Sequence, residues 1–269
     1  MPLPPFVRYP GSKTTQSPQI EAHVPPHNSK CIPFLGSGGY FLNSSRSKME
    51  SANDLNGDLI NLFIVMRDRS DELIEKIEAT YYNARELYIS QQPTDDDLER
   101  ARRFYTRCWL SFKPYENGRP LTFRRQYKLP SGMTSAVAAF TRTDHLRLIS
   151  ARLDGVVIEQ LDALDYIQRY DHAGAFFYAD PPYPFDARVG KNPIYLYDNM
   201  DEQAHTKLAA VLNQIKGTAI VSGYACPLYE ELYERVGWQR IDTSSRVNGS
   251  RVATESLWLH PRAQVRRLF

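Results

Sequence analysis

The stretch AFFYADPPYPF, residues 175–185, constrains the fold more than any other part of the chain. An apolar, aromatic run of strand composition drives straight into a carboxylate and two prolines. Two consecutive prolines fix φ and remove two ladder donors, so strand pairing has to stop at Asp180. The segments around it alternate. VVIEQ reads as a strand and LDALDYIQRY as a short helix ahead of the strand AFFYAD. MDEQAHTKLAAVLNQIKG then reads as a helix closed by a C-terminal glycine, TAIVSG as a strand and PLYEELYERVG as a helix. This alternation predicts a mostly parallel sheet covered by helices. SRVNGSRVATESLWLHP reads as a hairpin turning at Asn248 and Gly249.

The first half is organised differently. A short apolar stretch, CIPFLG, breaks at Gly36, Gly38 and Gly39 and resumes as YFLN, which reads as strand, glycine turn, next element. SANDLNGDLINLFIVMRDRSDELIEKIEATYYNARELY opens with turn chemistry and then places apolar residues at helical spacing. QQPTDDDLERARRFYTRCWLSF restarts a helix, with Thr94 as its expected N-cap. At 269 residues and 42% hydrophobic, the chain suffices for one large α/β domain carrying a smaller insertion. The division expected is residues 1–60 and 150–269 as one domain and 61–149 as the insertion. No window approaches a membrane span and no secretory signal opens the chain, so a cytoplasmic protein with no membrane partner is expected. Three scattered cysteines, none in a CxxC pair, predict neither a disulfide framework nor a metal site.

Net charge is only +2, but its distribution is uneven. Arg100 to Lys128 holds nine Lys or Arg against one acid, Glu116, with seven aromatic residues interleaved. Cations that reach phosphates among rings that stack suit a nucleic-acid surface. The part up to Phe112 would equally be a solvated helix with its aromatic side in the core. RPLTFRRQYK reads more as a contact loop, and by residue type Arg119, Arg124, Arg125 and Lys128 are its candidate DNA contacts. Arg246 and Arg251, flanking the hairpin turn, would add backbone contacts.

In PFLGSGGYF the glycines let the backbone turn tightly and approach a ligand. Asp54 lies 18 positions after Gly36, near the spacing at which an acid after the second strand accepts hydrogen bonds from a ribose. A dinucleotide site would need a glycine at position 41, which is Phe41. An adenosine-bearing ligand without a pyrophosphate needs no such cradle. Asp180, Pro181, Pro182 and Tyr183 set acceptors and an aromatic ring at the sheet's carboxyl edge, which fits a planar heterocycle bearing an NH₂ group. Such an amine is a poor nucleophile, because its lone pair is delocalised into the ring. Fixed acceptors would favour a pyramidal nitrogen and stabilise the charge that develops on methyl transfer, with no covalent intermediate. A base inside a duplex would first have to be flipped out.

Taken together, RYPGSK, PFLGSGGYF, ANDLNGDLINLF, YADPPY and TESLWLHP resemble the Dam-type adenine-specific DNA methyltransferases. The resemblance covers most of the chain outside about 65–149. It implies a Rossmann-like α/β methyltransferase core with a mostly parallel, mixed sheet and an inserted, mainly helical target-recognition domain. It also implies S-adenosyl-L-methionine as methyl donor and double-stranded DNA as partner, in a bacterial or phage-infected cell. Tyr9 and Lys13 would contact the cofactor's methionine part, Gly36 and Gly38 would line its loop, Asp54 would hold the ribose and Asp162 would neighbour the cofactor's adenine. Asp180, Pro181, Pro182 and Tyr183 would grip the flipped base. Ser12 stands where the family commonly has glycine, and Ile32 where it has an acid before the proline. Two alternatives stay open, a catalytically weakened DNA-binding homologue and methylation of the cytosine N4 amine; a nucleotide-dependent dehydrogenase is disfavoured by Phe41 and by the lack of a hydride-transfer constellation.

Overall fold

The computed structural model describes residues 2–112, 121–125, 136–184, 200–247 and 251–264. One seven-stranded sheet organises them. Its strands are β1 Ser29–Ile32, β2 Met49–Asn53, β3 Val157–Glu159, β4 Ala175–Ala179, β5 Thr218–Tyr224, β6 Gln239–Val247 and β7 Arg251–Leu259, in the order β3-β2-β1-β4-β5-β7-β6. The first five run parallel, and β7 is antiparallel to both β5 and β6. The mixed, mostly parallel α/β sheet expected from the alternation is therefore present. The strand order reverses between β1 and β4, and a crevice at the carboxyl ends of such strands is where open α/β sheets bind ligands.

Both faces of the sheet are buried, and β4 shows why the sequence demands it. Phe176 and Tyr178 enter one apolar cluster while Cys31, Phe177 and Ala179 enter the other. Period-two alternation thus sends large side chains both ways. The first cluster also takes Leu62, Phe63 and Met66 of the helix Gly57–Asp68, Phe104 and Leu110 of Asp97–Leu110, and Ile149 of Asp144–Leu153. The sequence-expected boundaries, 60/61 and 149/150, fall inside the first and last of these helices.

Several local expectations change. The strand β2 occupies the start of the segment that reads as turn followed by helix, because its polar residues are satisfied inside the sheet: Ser51 Oγ meets Tyr166 OH at 2.6 Å. The long helical reading then resolves into Gly57–Asp68, Ser70–Glu78 and Ala84–Ser90. Asp96 rather than Thr94 caps Asp97–Leu110, accepting from Glu99 N at 2.6 Å. The helix Glu202–Leu212 ends at Asn213, short of Gly217. A Cβ on Gly217 would stand 2.4 Å from the Ala175 carbonyl, so this glycine serves close strand packing instead of a helix cap.

The basic helix Asp97–Leu110 is largely neutralised. Arg100 and Arg107 pair with Asp58 at 2.8 and 2.6 Å, and Arg102 and Arg103 both pair with Glu99 at 2.7 Å. Its Phe104, Tyr105 and Trp109 are buried. The charge that suggests a nucleic-acid surface there is spent on structure. No helix among the described residues is long and apolar enough to cross a membrane, and no group of three or more potential metal ligands occurs among them.

Candidate active site

A cavity of about 430 Å³ opens at the carboxyl edge of the parallel strands, a size typical of small-molecule sites. Its walls come from the segment around Tyr9–Lys13, the glycine loop after β1, the turn after β2, the Leu161–Leu164 turn after β3, Asp180 and Pro182 after β4, and the start of Glu202–Leu212. Asn53, the last residue of β2, ties three of these together. Its amide donates to the Pro33 and Leu161 carbonyls at 3.0 and 3.1 Å, and its Oδ1 accepts from Leu161 N at 2.8 Å.

Asp54 follows directly. Its Oδ2 accepts from Gly36 N at 2.9 Å and its Oδ1 from Asn56 N at 3.0 Å. Burial nonetheless outweighs these backbone donors and raises its carboxyl above the ordinary aspartate range. With the Leu55 amide as a third backbone donor, the carboxylate still keeps an acceptor site for a ligand hydroxyl. Gly36 is left-handed at φ 51°, with open space where a Cβ would stand. Gly38 does not line the cavity: at φ 69° it faces the Phe63 ring, 2.9 Å from where its Cβ would be. Gly39 does line it, and a Cβ there would meet Ser12 Oγ at 2.6 Å and Thr14 N at 2.9 Å. The amino-terminal segment closes against the loop only because Gly39 has no side chain. Ile32 lines the apolar part of the same cavity. Tyr9 is also in the wall, its hydroxyl accepting from Asn56 Nδ2 at 3.4 Å. Asp162 lines the cavity while capping Ala163–Tyr170, accepting from Leu164 N at 2.8 Å.

The DPPY end is built from charge. Asp180 Oδ2 meets Lys13 Nζ at 2.9 Å, and the same ammonium reaches Glu255 Oε1 at 2.9 Å and donates to the Tyr183 hydroxyl at 2.8 Å. Tyr183 OH lies 3.1 Å from Asp180 Oδ1 and also contacts Glu255 Oε1. Gln16 Nε2 donates to Glu255 Oε2 at 2.5 Å. Burial opposes the charge on Lys13, but Asp180 and Glu255 outweigh it and hold the ammonium above the ordinary lysine range. Burial, with Glu255 adding to it, raises the Asp180 carboxyl against the pull of Lys13. The Tyr183 ring packs edge-on against Tyr224 with centroids 4.9 Å apart. Its hydroxyl is thus anchored at one end and its ring at the other. Tyr178 stands between the two halves, stacked near Tyr40 at 4.2 Å.

Of the other sequence candidates, Arg119 and Lys128 lie outside the described residues, as do the side chains of Arg246 and Arg251 on β6 and β7. Arg125 is exposed. The Arg124 guanidinium lies over the Phe112 ring at 4.7 Å, and burial together with the charge of Arg8 lowers its pKa. Arg8 itself leans on Trp109 at 6.0 Å, and no carboxylate among the described residues pairs with either arginine. Glu255, Gln16, Asn53 and Arg8 are absent from the residues that the sequence nominates. Glu255 had a readable signal: in ATESLWL it shares the strand face of Leu257 and Leu259, a carboxylate at an inward position.

A model of the D12 class N6 adenine-specific DNA methyltransferase family matches residues 9–247. The chain is similar to a type II methyltransferase of Lactococcus lactis subsp. cremoris, 24% identical over 273 residues that cover 93% of this chain and 90% of that one. It is 22% identical over 276 residues to a type II methyltransferase of Methanocaldococcus jannaschii, covering 92% and 94%. With the DNA adenine methylase of Escherichia coli K12 it shares 25% identity over 243 residues, covering 86% and 84%. The chain belongs to the D12 class of N6 adenine-specific DNA methyltransferases, and its reaction is methylation of adenine N6 in DNA.

Proposed function

We propose that the protein takes the methyl group from S-adenosyl-L-methionine and passes it directly to the amine of an adenine flipped out of double-stranded DNA within a short recognition sequence. The observation that carries this reading is the placement of Asp54 and Asp180, each directly after a parallel strand, on one cavity. The donor set fits an adenosine-bearing sulfonium: a buried carboxylate for the ribose diol, apolar walls from Ile32, Phe34 and Leu161 for the purine, and Asp162 at its edge. That cofactor supplies an electrophilic methyl carbon. The chain's own residues do the rest. Asp180 and the Pro181–Pro182 segment offer acceptors to the amine, and Tyr183, anchored through its hydroxyl, offers a fixed ring face to the base. Base flipping follows from the depth of Asp180, which a stacked base cannot reach. Residues 61–149 would carry target recognition through Arg119, Arg124, Arg125 and Lys128, with Arg246, Arg251 and, from the amino-terminal segment, Arg8 as further contacts outside it.

The test incubates purified protein with labelled methyl donor and DNA, followed by mass analysis of the nucleosides. The wild type is expected to yield N6-methyladenine and Asp180→Ala to yield none. Activity that survives Asp180→Ala overturns the assignment. Arg124→Ala is expected to weaken DNA binding and lower the slope of log affinity against log salt by about one.

A further inference from the structure

Glu255 reaches the site from β7, a strand antiparallel to its neighbours, and it does not line the cavity. Its side chain is 6% exposed and lies behind Lys13, which does line the cavity. A buried carboxylate in that place needs a reason, since burying charge is costly unless the charge is used. Its contacts give one. Lys13 bridges Asp180 and Glu255 at 2.9 Å each, so one cation faces two carboxylates and the cluster keeps a net charge of minus one. The groups facing Asp180 are Lys13 from the amino-terminal segment, Glu255 from β7, Tyr178 from β4 and Tyr183 from the turn after it, with Tyr224 at the end of β5 behind Tyr183.

Methyl transfer moves positive charge. As the nitrogen–carbon bond forms and the sulfur–carbon bond breaks, the sulfur leaves as a neutral thioether and the positive charge passes to the adenine amine, which then gives up a proton to water. An amine becoming cationic is stabilised by fixed negative charge. Lys13 paired with Asp180 alone would leave a neutral pair there, with an ammonium close to the developing cation. Glu255 supplies the second counter-charge.

We propose that Glu255 is a positioning residue for the methyl transfer: it engages Lys13 and the Tyr183 hydroxyl from behind the cavity, so that Lys13 does not neutralise Asp180 and the cluster presents net negative charge to the reacting amine. This rests on the assignment of Asp180 to the adenine amine given above. Glu255→Gln keeps the shape and removes the charge. At saturating cofactor and DNA its kcat is expected to fall about 10–100-fold, with the cofactor KM within about threefold of wild type. Its acid limb is expected to move to lower pH, because removing a like charge favours ionised Asp180. Tyr183→Phe, which removes a donor to Asp180, is expected to move that limb to higher pH. Glu255→Asp retains the charge and is expected to restore most of kcat. Calorimetric binding of S-adenosylhomocysteine to Glu255→Gln is expected to match wild type.

A Glu255→Gln kcat within about threefold of wild type with a superimposable pH profile overturns the proposal. Should Glu255→Gln fail to fold in thermal unfolding, Glu255→Asp decides: folded but with a kcat more than about 100-fold below wild type, it overturns the proposal. Asp180→Ala run in parallel separates the two assignments. An active Asp180→Ala refutes the role of Asp180. An inactive one beside a fully active Glu255→Gln refutes only the role of Glu255.

Discussion

Asp54 and Asp180 occupy equivalent places in the fold, each the first residue beyond a parallel strand, yet the protein holds them by opposite means. Asp54 is gripped by the backbone amides of Gly36 and Asn56. Asp180 is gripped by the side chains of Lys13 and Tyr183, with Glu255 behind them. Backbone amides belong to the turn that displays them, so the Asp54 carboxylate sits in a rigid cradle of uncharged donors. Side-chain charges arrive from separate segments, so the Asp180 end has a field that can be tuned. The difference matches the two tasks: a ribose hydroxyl needs acceptors of fixed geometry, whereas a reacting amine needs negative charge where positive charge appears.

Substitutions that break each half should separate these tasks. The largest effect belongs to Asp180→Ala, expected to lower kcat by at least about 10³-fold, below detection in the methylation assay, while cofactor binding, followed by calorimetry, changes little. Asp54→Asn is expected to weaken cofactor binding about 10–100-fold, the worth of hydrogen bonds to a charged group, with a smaller effect on kcat. A fall in kcat alone would break the comparison. Because burial raises the Asp54 carboxyl, it protonates as pH falls through a value above the ordinary aspartate range. Protonation removes an acceptor, so cofactor affinity should decline with falling pH sooner than an ordinary aspartate would give, and Asp54→Asn should flatten that dependence.

The smallest effects lie in the glycine loop. Gly36→Ala and Gly38→Ala both impose a side chain on left-handed backbone, about 1–2 kcal/mol each, but only Gly38 also drives a methyl into Phe63. Thermal unfolding should therefore show the larger loss for Gly38→Ala. The methyl of Gly36→Ala points into open space, so cofactor affinity is the measurement that should register it. Equal losses of stability would mean that the loop yields where the backbone-built half is expected to be rigid.

Legibility in the sequence follows the same division. Asp54 and Gly36, 18 residues apart, are hydrogen-bonded to each other, because the chain covers that separation with the short helix Gly39–Asn43 and the strand β2, which returns it to the same sheet edge. The strand β4 and its stop at Asp180 are equally plain, since two prolines forbid continuation. The strand β2 is not, because Met-Glu-Ser-Ala-Asn carries no strand propensity of its own and is extended only by pairing with β1 and β3. The basic run from Arg100 misleads for a related reason. Its acids, Asp58, Glu86 and Glu99, all lie outside the run, and only helix packing brings the first two to the arginines.

By itself the sequence determined what is local: the alternation that makes a parallel sheet, the glycines that make a loop, and the Asp-Pro-Pro-Tyr that ends a strand in acceptors. Tertiary structure decided the charge around Asp180. Lys13, Tyr183 and Glu255 are separated by 170 and 72 positions, and neither spacing nor periodicity relates them. The antiparallel return of β7 alongside β5 carries Glu255 to the cluster. The closure of the amino-terminal segment over Gly39 carries Lys13. Electrostatic pairing acts over a few ångströms whatever the distance along the chain, so such a cluster exists only once the sheet is complete.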